Sequence, residues 1–212
     1  MSKTRQHDQV NPLQSCFDRL AAAELGSSEW EAARRDLAEQ EHTDARSLIA
    51  AIGQGNRSLR AGVARTLKRL GAVVYYDLIE ALSPQYPASI RAAAAGMLYG
   101  VIQQGQVVAR DAFPALVLAL ADPAPQLRYR AAVTLELIGP DAVEATDLLI
   151  RALADDEPIV REWAAHALNA IGSSAVSALA TLTEALLDVD PNVRQAASDA
   201  IDAIQGGHHA RS

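Results

Sequence analysis

The sequence is poor in cysteine and in aromatic residues. Cys16 is the only cysteine among 212 residues, so no disulfide can form within the chain, and this fits a reducing compartment. Aromatic residues make up 4% of a chain that is 50% hydrophobic, so its apolar content is mostly Ala, Leu, Val and Ile. This composition suits closely packed helices better than sheets.

Long apolar runs are also missing. No stretch approaches the roughly 20 apolar residues that a membrane-spanning helix needs. The first ten residues, MSKTRQHDQV, have no apolar core and do not resemble a secretory signal. We therefore expect a cytoplasmic protein that does not insert into a membrane.

Motifs for several common chemistries are absent. The sequence contains no GxxxxGK, GxGxxG or HExxH, the patterns of phosphate, dinucleotide and zinc-protease sites. With one cysteine and no cysteine–histidine spacing, the chain has no ligand set for a structural zinc ion. His208 and His209 lie in a predicted tail, where metal binding would be incidental. We expect no metal and no cofactor, and we favour a non-enzymatic role while leaving enzymatic activity open.

Negative charge is in excess, but it is unevenly distributed. The formal net charge is −7; residues 1–71 contain 11 Lys or Arg and 9 Asp or Glu, whereas residues 72–212 contain 8 and 17. The acidic excess disfavours broad binding to nucleic-acid phosphates. One local basic cluster remains, consisting of Arg57, Arg60, Arg65, Lys68 and Arg69.

An internal repeat is the main feature that the sequence does contain. Five arginines recur at separations of 31, 37, 33 and 33 residues, which is the period range of helical solenoids. The positions one before and three, seven and ten after each arginine are apolar in all five copies. This spacing places them on one face of a helix. The five repeat arginines are Arg60, Arg91, Arg128, Arg161 and Arg194.

A second helix is predicted ahead of each repeat arginine. Leucine, usually followed by another apolar residue, recurs 11 to 13 positions before it, and turn signals such as ADPAP and DVDP lie between. In the last three copies, a proline three positions before the arginine suits the first turn of the second helix. Asp190 is a candidate N-cap, and Gly71, Gly139 and Gly172 suit the ends of three second helices.

The repeat therefore predicts an all-α fold, an α-solenoid of about five helix pairs over residues 44–206. The upstream segments NPLQSCFDRL and SSEWEAARRDLAEQ predict two helices within residues 11–43 that cap the stack. Ser28 and Glu31 offer a capping box for the second of them. Residues 1–10 are predicted to be disordered and residues 207–212 to form a flexible tail.

The motifs DPNVRQAASDAI, EPIVREWAAHALNAIG and PQLRYRAAVTLELIG resemble the HEAT repeat. More narrowly, they resemble the HEAT-like repeats named after phycobilisome lyases. The resemblance implies an armadillo-like scaffold that binds other proteins. It also implies that the repeat arginines are structural and pair with loop aspartates, namely Asp122, Asp155 and Asp188.

Three branches of this resemblance carry other functions. Deoxyhypusine hydroxylases bind iron through repeated His-Glu dipeptides, which this sequence lacks. Phycobilin lyases and phycobilisome-degradation factors act on phycobiliproteins, and a phycobiliprotein partner stays an alternative, although only the repeat itself matches. The alkylpurine glycosylases bind DNA, and this alternative is less favoured because only one helix carries a basic cluster.

The predicted partner-binding residues lie on the second helices, away from the core stripe. Positions two, five and nine after the repeat arginines should line the concave face. The selected residues are Arg65, Arg69, Arg130, Trp163 and His166, because Trp and Arg dominate binding energies. Trp163 could instead pack against the neighbouring helix. Gly96 and Gly100 interrupt one second helix, which indicates either close packing or a notch for a partner. The favoured function is a protein-binding scaffold that uses this concave face, with the charge asymmetry orienting the partner.

Overall fold

The computed structural model describes residues 12–39, 45–70, 74–105 and 107–209. Within these ranges the only secondary structures are helices and turns. The α-helices are α1 (Pro12–Ala22), α2 (Ser28–Glu39), α3 (Ala45–Gln54), α4 (Arg57–Leu70), α5 (Tyr75–Glu80), α6 (Ala88–Gln103), α7 (Phe113–Ala119), α8 (Pro125–Ile138), α9 (Thr146–Ala152), α10 (Pro158–Ile171), α11 (Leu179–Ala185) and α12 (Pro191–His209). Short 3-10 helices precede α7, α9 and α11 (Ala109–Ala112, Gly139–Ala145 and Gly172–Ala178).

The chain forms two compact units, Met1–Leu70 and Gly71–Ser212. In the second unit a first helix packs against a second helix in each pair, α5 with α6, α7 with α8, α9 with α10 and α11 with α12. The second helices also pack in chain order, α6 on α8, α8 on α10 and α10 on α12. In the first unit α3 pairs with α4, and α1, α2 and α4 pack on one another. The predicted all-α fold of stacked helix pairs is confirmed.

Alanine allows the second helices of the second unit to approach closely. The position three residues after each repeat arginine is fully buried throughout this unit, at 0% exposure (Ala94, Ala131, Ala164 and Ala197). A larger side chain at these positions would hold adjacent helices apart, since protein interiors leave few voids. The larger apolar side chains of the stripe fill the space around them. They include Leu98, Leu135 and Leu168, each at 0% exposure.

Trp30 forms the centre of the first unit. Its side chain is fully buried, and the indole Nε1 donates to the carbonyl oxygen of Ser58 at 3.0 Å. The Ser27 hydroxyl accepts the Trp30 N–H at 3.2 Å, so Ser27 caps α2. The predicted capping box is therefore wrong by one position, because α2 begins at Ser28 and its cap must precede it.

Most helix ends follow the predicted signals. Gly139 and Gly172 adopt φ values of 68° and 67°, a backbone conformation that side chains other than glycine rarely adopt. The Asp190 carboxylate accepts the N–H of Asn192 at 2.8 Å and caps α12. Gly71 and residues 1–10 lie outside the described residues, as do residues 210–212 of the predicted tail.

Bidentate ion pairs join consecutive repeats of the second unit. Arg128 donates from Nε and Nη2 to both carboxylate oxygens of Asp155, at 2.6 and 2.7 Å. Arg161 holds Asp188 in the same way, at 2.7 and 2.8 Å. The four side chains are only 9% to 16% exposed. These pairs are therefore largely desolvated, which makes each partner dependent on the other.

Each joint also organises the turns on both sides of it. Arg128 Nη1 donates to the carbonyl oxygens of Asp122 and Pro123 in its own turn, at 2.9 and 3.2 Å. The Asp155 carboxylate accepts the N–H of Glu157 in the next turn, at 3.0 Å. One arginine therefore fixes two successive turns relative to each other.

The first joint of the second unit is less complete. Arg91 Nη2 donates to Asp122 at 2.8 Å, and Nη1 donates to the carbonyl oxygen of Tyr86. The buried Nε has no hydrogen-bond partner among the described residues. The arginine and aspartate are 31 residues apart here and 27 in the later joints. The longer intervening segment coincides with the loss of the bidentate geometry.

The two bidentate joints lower the pKa values of Asp155 and Asp188. A hydrogen bond from Arg161, opposed by burial, lowers the pKa of Asp188 from its ordinary 3.8. Burial alone would raise the pKa of Asp155, but hydrogen bonds from Arg128 and the Glu157 N–H outweigh it and the net change is a decrease. Both carboxylates are therefore charged at neutral pH.

Removing one charge from a joint should destabilise the protein. We expect Asp155→Asn to lower the free energy of unfolding by about 3 kcal/mol, because it leaves the desolvated Arg128 without its counter-ion. The matched control is Glu144→Gln, since Glu144 pairs with Arg110 at 3.6 Å with both side chains at least 68% exposed. Its effect should stay below about 0.5 kcal/mol. Urea unfolding measures both, and equal losses would contradict a structural role for the joint.

The joints should also make stability depend on acid pH. A carboxylate with a lowered folded-state pKa stabilises the folded protein above its unfolded pKa, and this stabilisation is lost as pH falls through the folded-state pKa. The free energy of unfolding should therefore decrease below about pH 4. Asp188→Asn should flatten this decrease, as measured by urea unfolding across pH. An unchanged slope in the variant would contradict the assignment.

Candidate protein-binding groove

A groove runs along three second helices of the second unit. Its volume is about 330 Å³. The lining residues are Ala95, Gly96 and Tyr99 of α6, Tyr129, Arg130 and Val133 of α8, and Trp163 of α10. Three of them are aromatic in a chain with 4% aromatic residues. The groove therefore concentrates the side chains that contribute most to protein binding.

Trp163 lies between two ring systems. Its ring contacts Tyr129 edge-to-face, with centroids 6.2 Å apart, and His166 at 5.1 Å. The side chain is half-buried, so it both packs against the neighbouring helix and lines the groove. No described residue forms a hydrogen bond with the indole N–H or with the Tyr129 hydroxyl. Both groups are therefore free to bond a partner.

Arg130 lies across the bare backbone of α6. A Cβ atom added at Gly96 would collide with the Arg130 guanidinium, whereas one added at Gly100 would meet no atom within 4 Å. Gly96 is therefore the position where close packing requires glycine, and it forms part of the groove. Arg130 is exposed, and no carboxylate of the described residues lies within ion-pair distance of it.

Acidic side chains lie on the next helices of the stack. His166 Nε2 is 3.9 Å from the Glu162 carboxylate on α10, a distance too long for a hydrogen bond. On α12, Asp199 accepts a hydrogen bond from Gln195 at 2.8 Å and is exposed. The charge thus changes from positive at Arg130 to negative toward α12.

The other two predicted contact residues belong to α4 in the first unit. Arg65 lies over the ring of Trp30, 5.0 Å from its centroid, and bonds Glu31 at 3.2 Å. Its side chain is 59% exposed. The side chain of Arg69 lies outside the described residues. Arg130, Trp163 and His166 are thus the predicted residues that the structure brings together.

Two aromatic residues of the groove, Tyr99 and Tyr129, were not selected from the sequence. Tyr129 directly follows a repeat arginine, and the same position in the other copies holds Ala61, Ala92, Glu162 and Gln195. The signal available in the sequence was that Tyr129 is the only aromatic residue at this position of the five repeats. Tyr99 lies between the two glycines of α6, and its hydroxyl is 3.4 Å from Gln103 Nε2.

The described ranges show neither a cluster of metal-ligating side chains nor a membrane helix. No three His, Cys, Asp or Glu side chains in these ranges are close enough together to hold a metal ion. None of the helices found there is both long enough and apolar enough to span a bilayer.

Comparisons with known proteins agree with this architecture. Residues 113–202 match the family described as HEAT repeats, which covers most of the second unit. No curated protein sequence matches the chain. The predicted resemblance to HEAT repeats is confirmed over residues 113–202.

Solved structures show the same fold at low sequence identity. The complex of CpcE and CpcF of phycocyanin lyase from Nostoc sp. PCC7120 matches with a TM-score of 0.60 and 23% identity, over 74% of this chain and 96% of that one. An engineered protein matches with a TM-score of 0.58 and 20% identity, over 93% of this chain and 98% of that one. A designed armadillo repeat protein in complex with the peptide (KR)4 matches with a TM-score of 0.57 and 15% identity, over 92% of this chain and 100% of that one.

The two glycines of α6 should respond differently to alanine. Gly100→Ala should raise the free energy of unfolding by about 1 kcal/mol, because alanine favours the helix and the space is open. Gly96→Ala should raise the free energy of unfolding by less, since the Arg130 guanidinium must move away from the added methyl group. In an Arg130→Ala background the two substitutions should have equal effects, as measured by urea unfolding. A difference that persists in that background would show that Arg130 is not its cause.

Proposed function

We propose that the protein is a non-catalytic scaffold that binds another protein through the groove on α6, α8 and α10. The observation that carries this proposal is an aromatic groove that contains an exposed Arg130, which forms no ion pair with the described residues. HEAT-repeat and armadillo solenoids bind protein partners along their second helices, and the groove lies on these helices here.

The dimensions of the groove suit a short segment of a partner chain. A volume of about 330 Å³ accommodates a few side chains rather than a folded domain. Tyr129 and Trp163 offer ring surfaces to apolar or aromatic side chains, and their free hydroxyl and N–H groups can bond a partner backbone. Tyr and Trp side chains have only two χ angles, so ordering them on binding costs little entropy.

Charge supports one orientation of the bound segment. Arg130 suits a carboxylate of the partner, because a guanidinium binds a carboxylate through two parallel hydrogen bonds. Glu162 and Asp199 favour a basic side chain further along. We propose a segment with an acidic residue over α8 and a basic residue toward α12.

The proposal requires no reacting group in the second unit. Burial raises the pKa of Tyr75 to about 12, and its hydroxyl donates to the carbonyl oxygen of Val108 at 2.8 Å. This neutral hydroxyl holds the segment before α7 in place. Its role is therefore packing rather than proton transfer.

A phycobiliprotein is the alternative partner. The narrower sequence resemblance supports it, and the likeness to a phycocyanin lyase component extends to the fold. A role in bilin attachment or phycobilisome breakdown would place a phycobiliprotein segment in the same groove. The experiment below distinguishes this partner by its colour.

Replacing the groove tryptophan should remove the partner. We expect affinity capture from the native host, read by quantitative mass spectrometry, to yield one dominant protein with the wild type. Trp163→Ala should lower the affinity for that protein at least about tenfold, as expected for a buried hot spot. Arg130→Glu should have a similar effect, because it places a negative charge against the partner carboxylate. Isothermal titration with the purified partner measures both.

Arg110→Glu is the matched control for charge reversal. Arg110 is also exposed and belongs to the second unit, but it does not line the groove. Its variant should bind the partner within about twofold of the wild type. A partner that all three variants retain equally would refute the groove as the binding site. A pigmented partner would establish the phycobiliprotein alternative.

A further inference from the structure

We propose that the junction between α6 and α8 is a hinge. At this hinge the helix pair α5–α6 (residues 75–103) swings against the block formed by α7 to α12 (residues 113–209), and the swing changes the width of the groove. The hinge follows from the contacts between repeats and does not depend on the proposed function. Only its consequence for a bound segment rests on that function.

The joint at this junction uses one hydrogen bond to a carboxylate, whereas the later joints use two. Arg128 and Arg161 each present Nε and Nη2 to the two oxygens of an aspartate. Arg91 presents only Nη2 to Asp122, at 2.8 Å, and no described residue accepts a hydrogen bond from its buried Nε. Two parallel bonds fix the plane of a guanidinium, whereas a single bond lets it turn. Of these three joints, the one between α6 and α8 therefore restrains the register of its repeats least.

The buried Nε of Arg91 also favours a second arrangement of the junction. A buried donor without an acceptor raises the free energy of the arrangement that contains it. In the later joints, Oδ1 of the aspartate accepts the arginine Nη2 and a backbone N–H of the next turn, and Oδ2 accepts Nε. Asp122 Oδ1 already accepts Arg91 Nη2 and the Ala124 N–H. A small rotation of α6 that carries Nε onto Oδ2 would complete this joint, so the junction has two arrangements to exchange between.

The connection between α6 and α7 is longer than the later connections. The helices α8 and α10 run directly into the 3-10 helices Gly139–Ala145 and Gly172–Ala178. By contrast, α6 ends at Gln103, and the 3-10 helix that follows it begins only at Ala109. The separation of the paired arginine and aspartate is correspondingly 31 residues here and 27 in the later joints. Because a longer connection restrains the position of its two ends less, it permits the swing.

Side-chain contacts across the junction can adapt to such a movement. α6 presents bare backbone at Gly96, and the Arg130 guanidinium of α8 lies against it. The equivalent positions one repeat later hold Val133 and Trp163, and the Trp163 ring contacts Tyr129 of α8 edge-to-face. A long arginine side chain can follow a moving helix through its rotatable bonds, whereas the ring contact holds α10 on α8. We therefore expect α8 and α10 to move together and α6 to move against them.

The groove has one wall on each side of the hinge. Ala95, Gly96 and Tyr99 belong to α6, and the other lining residues belong to α8 and α10. A swing of α6 therefore changes the separation between the Tyr99 wall and the Trp163 wall. Under the proposed function, the groove would adjust its width to a partner segment, and binding would select one width from those that the free protein samples.

Distances between spin labels in the free, full-length protein test the hinge. Cys16→Ala removes the only native cysteine, and labelled cysteines then replace exposed residues two positions before the repeat arginines. The pair Ser89→Cys and Ile159→Cys spans the incomplete joint and one complete joint. The matched pair Gln126→Cys and Asn192→Cys spans two complete joints. The helices in each pair are two helix contacts apart, about 20 Å, which suits double electron–electron resonance.

We expect the distance distribution of the Ser89–Ile159 pair to be at least about twice as wide as that of the Gln126–Asn192 pair, because only the first pair crosses the hinge. Arg161→Lys should widen the second distribution to a similar extent, since lysine keeps the charge of that joint but cannot form the fork. Circular dichroism should show unchanged helix content. Equal widths without Arg161→Lys would overturn the inference, and so would a second distribution that this substitution leaves unchanged.

These distances separate the hinge from the proposed function, because they are measured without a partner. A wide Ser89–Ile159 distribution, together with affinity capture that yields no partner, would contradict the proposed function and support the hinge. Equal widths, together with a captured partner that depends on Trp163, would overturn the hinge and leave the groove as the binding site.

Discussion

The bidentate arginine–aspartate joint is the interaction on which the second unit depends. Helices of one repeat cannot bury their apolar face alone, so each repeat requires a neighbour in a defined register. Arg128 and Arg161 supply that register, because each bonds its own turn and the carboxylate of the following turn. With the side chains nearly buried, the guanidinium and carboxylate planes have little freedom to slide. Apolar packing supplies the attraction, and the joint selects one geometry.

The groove follows from this register. Arg128 and Arg130 are two residues apart on α8, yet one lies in a joint and the other lies across Gly96 on α6. Their different directions follow from the helix period, since two residues rotate the side chain by about 200°. The alanine column keeps α6, α8 and α10 close together. The aromatic rings of adjacent helices can therefore meet in one groove.

The same chemistry has two distinct uses in this unit. Inside the stack, the guanidinium groups of Arg128 and Arg161 are paired with carboxylates and largely desolvated, and they fix the register of the repeats. At Arg130 and Arg194 a fork is exposed without a carboxylate from the described residues, and each lies beside apolar or aromatic side chains. An exposed guanidinium gains little from water-screened pairs but much from a partner that also excludes water. The surface at Arg130 therefore suits the proposed binding to another protein more than it suits intramolecular stability.

Periodicity by itself determined the all-α stack, the buried alanine column and the glycines that end α8 and α10, because each depends only on position within one repeat. It also selected Trp163 and Arg130, since both lie off the core stripe. Only the tertiary structure decided that Tyr129 meets Trp163, that Gly96 rather than Gly100 receives a neighbouring side chain, and that Arg65 is held by Trp30 and Glu31. These contacts join different helices. They depend on the distance and register between helices, which the side-chain volumes of both partners set together.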